Sequence, residues 1–504
     1  MNIVVVAGGL GTRFKELSVF PKVLLPINDY NSILEKDLKT INEDDKFYLI
    51  INEKFYDMTL NYITVNNLTS KVTIIPTSNT NGSYNSIKSV EKDLPKNNVL
   101  FIWSDIVLDK IPKFDEDNEC IIFTYENQGY RYRYDDTEGI RLAYNYLGNI
   151  PGVYYIKNLE DVLLYNVDSF DNFDLIDAIN GSKMKLTGIQ LDNLFEYRDY
   201  NTYANKIKEV SDVSLKTRFF NKMTIEEDGS LKKQAIDPNY FPIIEKEFHW
   251  YEFGYANVQD FSRIVPRIDL DSFKDNSFKM EYLKDYKPLH IVIKEKDNVE
   301  DVIKIYQNIK DCIEILSKNS IEIERADFAR DLKKEIVDKV LERCDKIQYM
   351  LINYNREYLA NILDKVYRYL LSLETGDKVR YYFGHGDLNG SNIMVNPNTL
   401  EVKFIDPRGY FGYTTKYIWR EYEYSKLLYC LNGYDDFNNL AQIYKRDIPQ
   451  RLKWYDKIDY LDETKYRVLV GIIYIALAGY ISQDIIKANI AYEYGISLLN
   501  EEGF

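Results

Sequence analysis

The sequence predicts an α/β protein in which a doubly wound, mostly parallel sheet is followed by a part of α+β type. Three observations support this prediction. The chain begins with a β-branched run at residues 2–7, further strands alternate with helical stretches up to residue 105, and a hairpin near residue 228 precedes long amphipathic stretches. The length of 504 residues corresponds to two to four domains.

Composition and charge narrow the classes of function. Hydrophobic residues make up 45% of the chain, which is enough for real cores. The formal net charge of −15 argues against nucleic-acid binding, which needs a basic surface, but it leaves room for a local nucleotide site. The four cysteines form no C-x-x-C pair, and three histidines are too few for a His-rich metal site.

The apolar segments do not indicate a membrane protein. The N-terminal run is short and lacks a basic leader, which is typical of a buried strand rather than a signal peptide. Later apolar runs, such as residues 468–478, are too short to cross a bilayer. We therefore expect a cytoplasmic protein without a membrane span.

The first strand leads into a glycine-rich loop that reads Gly-Gly-Leu-Gly-Thr-Arg-Phe at residues 8–14. Backbone N–H groups of such a loop can approach phosphates closely. The loop is not a Walker A motif, because no Gly-Lys-Ser/Thr follows, and its glycine spacing differs from that of the dinucleotide fingerprint.

The longer pattern, in which Pro21-Lys22 and the Leu-Pro-Ile of residues 25–27 follow the loop, resembles the signature of the nucleotidyltransferases. That family includes sugar-1-phosphate nucleotidylyltransferases and phosphocholine cytidylyltransferase. The resemblance implies a Rossmann-like domain with a mixed, mostly parallel sheet at residues 1–210. It also implies that the loop holds the triphosphate and that two cations neutralise charge at the α-phosphate and the leaving pyrophosphate. The implied nucleotide-binding residues are Gly8, Gly9, Gly11 and Thr12, and the implied catalytic cations are Arg13 and Lys22; the alternative is a turn with two solvated cations.

A polar loop at residues 77–86 lies where this family recognises the base and ribose. The resemblance therefore makes Asn81, Gly82 and Ser83 candidates for nucleotide binding. A plain N-capping loop is the alternative for each of them.

Two acids are implied as magnesium ligands in this domain. A buried strand ends at Asp105, at the sheet edge where ligands bind in such folds, and the resemblance makes Asp105 the first ligand. Residues 196–202 match the pattern in which the family places its second acid, so Asp199 is the second candidate. An exposed loop aspartate is the alternative for Asp199.

A second constellation lies near the far end of the chain. Residues 381–409 carry Asp387, Asn392 and Asp406 on two short apolar segments joined by a turn. Phosphoryl transfer to a hydroxyl needs one carboxylate that accepts the proton, and an amide oxygen and a second carboxylate that hold magnesium. The alternative is a β-hairpin with surface Asp and Asn in its turn.

The spacing Asp-x4-Asn, followed by a strand that carries Ile-Asp, resembles the protein-kinase-like small-molecule kinases of the aminoglycoside phosphotransferase and choline kinase families. The resemblance implies that Asp387 is the catalytic base and that Asn392 and Asp406 are metal ligands. It also implies a bilobal α+β domain, with a small lobe at residues 215–285 and a large helical lobe at residues 286–504.

A kinase-like small lobe needs a strand lysine that holds the α- and β-phosphates and a helix glutamate that orients it. The predicted hairpin of residues 217–236, with Gly229 in its turn, offers Lys233, with Lys232 as the alternative. The helical stretch 243–253 offers Glu247, with Glu245 as the alternative. The alternative is that these residues belong to a charged surface hairpin and helix.

The remaining patterns predict the frame of this domain. Residues 278–283 are typical of the strand that leads to the hinge between lobes. Apolar stripes at helical spacing predict large-lobe core helices at 299–317, 325–373 and 466–499.

Aromatic residues near acids follow Asp406, among them Tyr417, Trp419 and the Glu-Tyr-Glu-Tyr of residues 421–424. They suit a quaternary ammonium or amine acceptor, but they would equally stack on a sugar ring or pack in a core. Choline kinases often carry an aromatic-plus-Glu segment after Ile-Asp, whereas Pro-Arg-Gly intervenes here.

Together the resemblances imply a bifunctional enzyme with Mg²⁺ as cofactor and ATP and CTP as substrates. The kinase would phosphorylate a small alcohol such as choline or ethanolamine, and the transferase would couple that phosphate to CMP. The product would be a CDP-activated head group for decoration of a surface polysaccharide, as in capsule or lipooligosaccharide biosynthesis. Two alternatives stay open: the same chemistries on a sugar or polyol, or a transferase whose kinase-like part only binds ligand or mediates association. The sequence also leaves open the acceptor, the preferred nucleotide and a homo-oligomer.

Overall fold

The computed structural model describes residues 1–27, 32–80, 82–126, 129–142, 148–164, 174–208, 221–439 and 448–504. The chain separates into two compact units. The first comprises Met1–Val210, Lys346–Ile352 and Ile481–Asn489, and the second comprises Ser211–Asp345, Asn353–Tyr480 and Ile490–Phe504.

The first unit is built around a mixed, mostly parallel sheet of α/β type. Its strands run in the order β10-β6-β9-β4-β1-β2-β3, and only β9 pairs antiparallel with its neighbours. The strands of this unit are β1 (Asn2–Ala7), β2 (Lys46–Asn52), β3 (Val72–Thr77), β4 (Asn97–Trp103), β5 (Ile106–Leu108), β6 (Cys120–Thr124), β7 (Tyr132–Asp135), β8 (Gly139–Leu142), β9 (Val153–Asn158), β10 (Leu186–Gln190) and β11 (Leu194–Glu196).

The β-branched run at the N-terminus occupies the position that its composition predicts. Strand β1 lies between β2 and β4, parallel to both, so both of its edges are paired. Val4, on this strand, belongs to a core that also contains Phe101 of β4 and Tyr154 of β9. The strands predicted at 47–52 and 72–76 are confirmed within one residue at each end.

Helices connect the strands of the first unit. Residues 12–19 and 22–24 form short 3₁₀ segments after β1. The side chain of Ser32 caps the first α-helix by accepting a hydrogen bond from the N–H of Glu35. The helices are α1 (Ile33–Thr40), α2 (Tyr56–Val65), α3 (Ser83–Ser89), α4 (Glu160–Leu163), α5 (Leu175–Gly181) and α6 (Tyr200–Lys208).

The second unit is of α+β type and begins with a four-stranded antiparallel sheet. Its strands are ordered β12-β13-β15-β14, and Gly229 adopts a φ of +79° in the turn between the first two. The strands are β12 (Asn221–Ile225), β13 (Leu231–Ala235), β14 (Ile268–Lys274) and β15 (Ser277–Met280).

Short strands form three further small sheets, ordered β16-β19-β20, β17-β18-β23 and β21-β22. Their bounds are β16 (Lys287–Pro288), β17 (Ser320–Glu324), β18 (Lys378–Phe383), β19 (Ile393–Val395), β20 (Val402–Phe404), β21 (Tyr410–Phe411), β22 (Thr414–Thr415) and β23 (Tyr417–Ile418).

Helices make up most of the remaining chain. They are α7 (Phe241–Asn257), α8 (Leu289–Glu295), α9 (Val299–Ser317), α10 (Arg325–Lys333), α11 (Lys339–Lys346), α12 (Arg356–Ser372), α13 (Arg420–Leu431), α14 (Tyr434–Asn439), α15 (Thr464–Tyr480) and α16 (Ile485–Glu501), with a π-helical turn at Lys334–Asp338. No described helix is both long and apolar enough to span a bilayer.

Two predicted helices are interrupted. The stretch predicted at 325–373 contains the π-turn and then breaks between α11 and α12, where the side chain of Asn355 caps the new helix by accepting from the N–H of Tyr358. The stretch predicted at 466–499 breaks before α16, where Asp484 accepts from the N–H of Lys487. Asn and Asp favour such caps because their side chains bind backbone N–H groups.

Two predicted strands differ from the observed ones. The strand predicted at 278–283 ends at Met280, because the chain turns where the N–H of Lys284 bonds to the carbonyl of Tyr282. The strand predicted at 217–225 is observed from Asn221, and residues 217–220 lie outside the described residues.

Candidate functional sites

The glycine-rich loop leaves β1 with its backbone closely packed on one side and open on the other. A Cβ at Gly8 would lie 3.1 Å from both Ser86 Oγ and Thr77 Cγ2, so glycine permits this close approach. A Cβ at Gly9 would meet no atom within 4 Å, and Gly11 adopts a φ of +65°. Gly9 and Leu10 are therefore exposed at the tip of the loop.

Two cations and one acid converge beside this loop. Lys22 Nζ lies 3.0 Å from Asp105 Oδ2, and Arg13 Nη2 lies 3.9 Å from the same oxygen. The Lys22 side chain is largely buried and lies over the ring of Phe14, whereas the Arg13 side chain is 63% exposed. Thr12 is exposed at the start of the 3₁₀ segment. The structure therefore brings Arg13, Lys22 and Asp105 together.

Asp199 lies at the N-terminus of α6 and has a structural role there. Its Oδ1 accepts hydrogen bonds from the N–H of Thr202 at 2.9 Å and from the Thr202 hydroxyl at 3.1 Å. These bonds, together with the charge of Arg13, hold the pKa of Asp199 below its ordinary value. The N–H of Tyr197, two residues earlier, bonds to the carbonyl of Asp105. Arg13 therefore interacts electrostatically with both predicted metal ligands, Asp105 and Asp199.

The predicted base-binding loop is adjacent to the glycine-rich loop through Thr77 and Ser86. Gly82 adopts a φ of +89°, a conformation that favours glycine. The Ser83 hydroxyl bonds to Asp174 and accepts from the N–H of Leu175, so it joins the N-termini of α3 and α5. Asn81 lies outside the described residues.

In the second unit, a buried lysine is held between two acids. Lys233, on β13, is 1% exposed, and its Nζ lies 2.9 and 2.7 Å from the two carboxylate oxygens of Glu247 on α7. It also forms an ion pair with Asp406. Although burial opposes the charge, Asp406 and Glu247 raise the pKa of Lys233 above its ordinary value. The alternatives, Lys232 and Glu245, take no part in this contact.

Asp387, Asn392 and Asp406 meet at one end of the β19-β20 hairpin. Ile393 pairs with Phe404 in the hairpin, and the N–H of Ile405 bonds to the carbonyl of Asn392, which places Asn392 next to the residue that precedes Asp406. The Asn392 amide Nδ2 donates to the Asp387 carbonyl at 2.8 Å and to its Oδ2 at 3.2 Å. Asp406 adopts a φ of +58°, which is uncommon for a residue other than glycine.

The backbone of residues 385–387 is fixed by two groups that sequence reasoning missed in this role. His385 Nε2 donates to the carbonyl of Ile405 at 2.8 Å, and its Nδ1 accepts from the N–H of Asp387 at 3.2 Å, which defines the neutral tautomer. Glu423, on α13, accepts from the N–H groups of His385 and Gly386. Burial raises the pKa of Glu423 from 4.5 to about 7, against the lowering effect of these two bonds.

A further cation contacts the predicted catalytic base. Lys426 Nζ, also on α13, lies 3.0 Å from Asp387 Oδ1. The Lys426 residue is 9% exposed, and its ammonium lies near the rings of Tyr422 and Tyr429. No motif in the sequence identifies Lys426, because its position depends on how α13 packs against the hairpin.

The segment after Asp406 is held by a charged cluster. Arg408 donates through both terminal nitrogens to Glu335 at 2.8 Å each, and its guanidinium stacks on the Tyr410 ring at 3.9 Å. Although burial opposes the charge, Lys339 and Arg408 hold the pKa of Glu335 well below its ordinary value. The Pro-Arg-Gly insertion therefore supplies a largely buried ion pair.

Most aromatic side chains after this cluster pack in the core. Trp419, Tyr422 and Tyr424 are buried, and the indole N–H of Trp419 donates to Glu374. Among the aromatic residues at 408–424, Tyr410 and Tyr413 are exposed. Of the roles predicted for the segment around Trp419, packing is the one that these contacts fill.

The described residues include no group of three or more His, Cys, Asp or Glu that could hold a metal by itself. The predicted metal ligands comprise one or two carboxylates at each site. Such a set suits Mg²⁺ bound with a nucleotide, because Mg²⁺ is usually held by one or two carboxylates together with substrate phosphates. All four cysteines are buried and free.

No protein-family model and no curated protein matches the chain. Solved structures match its N-terminal part. CTP:phosphocholine cytidylyltransferase (LicC) from Streptococcus pneumoniae is 17% identical, with 41% of this chain and 97% of that chain covered and a TM-score of 0.35. The inositol-1-phosphate CTP transferase from T. maritima is 15% identical, with 41% and 93% covered and a TM-score of 0.34. HddC from Yersinia pseudotuberculosis is 19% identical, with 41% and 98% covered and a TM-score of 0.34.

Proposed function

We propose that the chain is a bifunctional enzyme with a nucleotidyltransferase site in the first unit and a small-molecule kinase site in the second. The observation that carries the proposal is the buried contact of Lys233 with Glu247 and Asp406. Removing the charges of Lys233 and Glu247 from water is costly, and apolar residues would stabilise such a position equally well or better. Because stability does not explain these buried charges, a functional role is the better explanation for them. In kinases, a lysine held in this way binds nucleotide phosphates.

In the proposed kinase reaction, Asp387 orients the acceptor hydroxyl and accepts its proton. The hydroxyl oxygen forms a bond to the γ-phosphorus of ATP while the bond to the β,γ-bridging oxygen breaks and ADP leaves. Lys233 holds the α- and β-phosphates, and Glu247 keeps the lysine in place. When bound by Asn392 and Asp406, Mg²⁺ would neutralise charge on the nucleotide phosphates.

In the proposed transferase reaction, a phosphate oxygen of the phosphorylated acceptor forms a bond to the α-phosphorus of CTP, and pyrophosphate leaves. Arg13 and Lys22 stabilise the charge that develops on the α-phosphate and the pyrophosphate. The backbone of Gly8, Gly9 and Gly11 binds the triphosphate, and Asp105 and Asp199 would hold Mg²⁺ there. The two reactions are consecutive, since the product of the kinase carries the phosphate that the transferase uses.

We take choline or ethanolamine as the acceptor and CTP as the nucleotide, so that the product is a CDP-activated head group for a surface polysaccharide. A panel tests these identities: ADP release with choline, ethanolamine, sugars and polyols, then pyrophosphate release with each nucleoside triphosphate. ADP release with sugars or polyols alone would replace the amino-alcohol assignment. Absence of ADP release with every acceptor would indicate that the second unit only binds a ligand.

Two variants separate the two sites. Asp387→Ala is expected to abolish ADP release and to leave pyrophosphate release from a supplied phosphorylated acceptor unchanged. Asp105→Ala is expected to do the reverse. Asp327→Ala and Asp109→Ala serve as controls, because both are exposed acids outside the two sites. A folded variant of either site residue that loses both activities would contradict the two-site proposal.

A further inference from the structure

The chain contains a second buried lysine at the proposed kinase site, and the reaction described above does not use it. Lys426 lies on α13, outside the 385–392 loop, and among the described residues Asp387 is the carboxylate with which it forms an ion pair. The Tyr422 and Tyr429 ring centroids lie 5.7 and 5.4 Å from its Nζ. The ammonium is therefore shielded from water on the side of the helix, which strengthens its interaction with any anion in front of it.

One helix fixes three consecutive residues of the loop. Glu423 accepts from the N–H groups of His385 and Gly386, and Lys426, one turn later, contacts the side chain of Asp387. The helix therefore defines the backbone before the catalytic base as well as the position of its carboxylate. A lysine that served only to orient this carboxylate would duplicate a function that Asn389 and Asn392 already perform by hydrogen bonds to Asp387 Oδ2.

We propose that Lys426 is a further catalytic residue of the kinase reaction, whose ammonium stabilises the negative charge on the transferred phosphoryl group. This role rests on the proposed kinase function. The acceptor oxygen lies within a hydrogen bond of Asp387 and about 3–3.5 Å from the γ-phosphorus when it attacks. An ammonium 3.0 Å from Asp387 Oδ1 is then within reach of the γ-phosphoryl oxygens.

Lys426 takes no part in the proton transfer of the proposed reaction. The proton of the acceptor hydroxyl passes to Asp387, the new O–P bond forms, and the bond to the β,γ-bridging oxygen of ATP breaks. The positive charge of Lys426 acts on the equatorial oxygens of the phosphoryl group, over which the transition state spreads its negative charge. No other side chain named at this site neutralises that charge from the acceptor side.

The first test compares the steady-state kinetics of wild type and variants of the full-length chain with Mg·ATP. Choline is the acceptor, and in reactions without choline water is the acceptor. Lys426→Met is expected to lower kcat by about 10²- to 10³-fold with KM for Mg·ATP nearly unchanged, as for loss of one transition-state contact. Lys426→Arg is expected to retain more activity, because it keeps the charge. Lys465→Met is the matched control, since this half-buried lysine pairs with Glu421 and Glu463 outside the site.

The second test does not depend on the acceptor. Titration calorimetry measures binding of Mg·ADP with and without aluminium fluoride, which mimics the transferred phosphoryl group. Lys426→Met is expected to bind Mg·ADP like the wild type and to lose most of the additional affinity that aluminium fluoride provides. Equal gains in the variant and the wild type would overturn the role of Lys426.

Asp387→Asn separates failure of this role from failure of the kinase proposal. If the wild type shows no ADP formation above that of Asp387→Asn, the kinase function is wrong, and the role of Lys426 with it. If the wild type is active and Lys426→Met matches Lys465→Met in kcat, the kinase function stands and only the role of Lys426 is wrong. A parallel rise in KM and fall in stability without a change in kcat would likewise reduce Lys426 to a structural residue.

Discussion

Asp331 and Glu335 lie four residues apart along one helical stretch and hold the two ends of the segment that follows β20. Asp331 accepts from the N–H of Tyr413 at 2.8 Å and from the hydroxyl of Thr414 at 2.7 Å. Glu335 binds both terminal nitrogens of Arg408. The π-turn begins between the two acids, so a local change of helical register sets the spacing of the two anchors.

The Glu335–Arg408 pair makes a prediction about stability. Glu335→Ala leaves the largely buried Arg408 guanidinium without its carboxylate, and the loss is expected to reach about 3–5 kcal/mol in the free energy of unfolding. Asp327→Ala, which removes an exposed pair with Arg330 on the same stretch, is the control and should cost less than about 1 kcal/mol. Urea denaturation of both variants measures the difference, and similar midpoints would contradict the buried-pair interpretation.

Asp199 offers a way to separate a helix cap from a metal ligand. Asparagine caps helices as well as aspartate does, so Asp199→Asn is expected to keep the stability of the first unit, whereas Asp199→Ala loses about 1 kcal/mol. If Asp199 also binds magnesium, both variants lose pyrophosphate release. Thermal unfolding and the transferase assay measure the two effects separately. Full transferase activity in Asp199→Asn would show that the side chain acts only as a cap.

Glu423 makes a prediction about pH. Because burial raises the pKa of Glu423 from 4.5 to about 7, the folded chain binds its proton more tightly than the unfolded chain between these values. The contribution of this group to stability is therefore full below pH 4.5 and is lost as the pH rises to about 7. Glu423→Gln is expected to flatten this slope, by about 1–3 kcal/mol across the interval. Urea midpoints at several pH values test it, and parallel curves for both proteins would contradict it.

Gly390 lies in the loop between Asp387 and Asn392 and has no room for a side chain. A Cβ there would lie 2.5 Å from Asp435 Oδ2 and 2.6 Å from Cys430 Sγ. Gly390→Ala is therefore expected to displace the loop and to lower ADP release by at least about tenfold, since small misplacements at a reacting centre are costly. Gly376→Ala, with its nearest atom at 3.2 Å, is the control. Unchanged ADP release in Gly390→Ala would show that the loop adapts.

The sheet of the first unit follows from local signals. A continuous β-branched run is typical of a strand that is paired on both edges, and glycine in the following loop permits a close approach of the backbone. The sequence therefore predicts both features. Strand β14 was not predicted, although its Ile-Asp-Leu-Asp segment alternates apolar and acidic residues as a half-exposed strand does. Its identity depends on pairing with β15.

The choice between neighbouring candidates depended on the side that each residue faces. Lys233 and Lys232 lie on opposite faces of β13, and the face that carries Lys233 is covered. Glu247 is buried on α7, whereas Glu245 is exposed. Strand and helix periods limit such pairs to one choice each once the packed face is known, and only tertiary structure supplies that face. Lys426 and Glu423 contact the loop of residues 385–392 through interactions that no local pattern encodes.

Under the proposed kinase function, the ion pair of Asp406 with Lys233 has a consequence for the order in which ligands bind. A divalent ion that uses the Asp406 carboxylate competes with the ammonium of Lys233, so the ion alone gains little from it. Phosphates that draw the ammonium toward themselves remove the competitor, and the ion then binds more tightly. Because such coupling is reciprocal, the ion tightens the nucleotide by the same factor. Under the proposed kinase function, neither ligand would be retained firmly without the other, and free ATP in a cation-depleted solution is expected to leave the site nearly vacant.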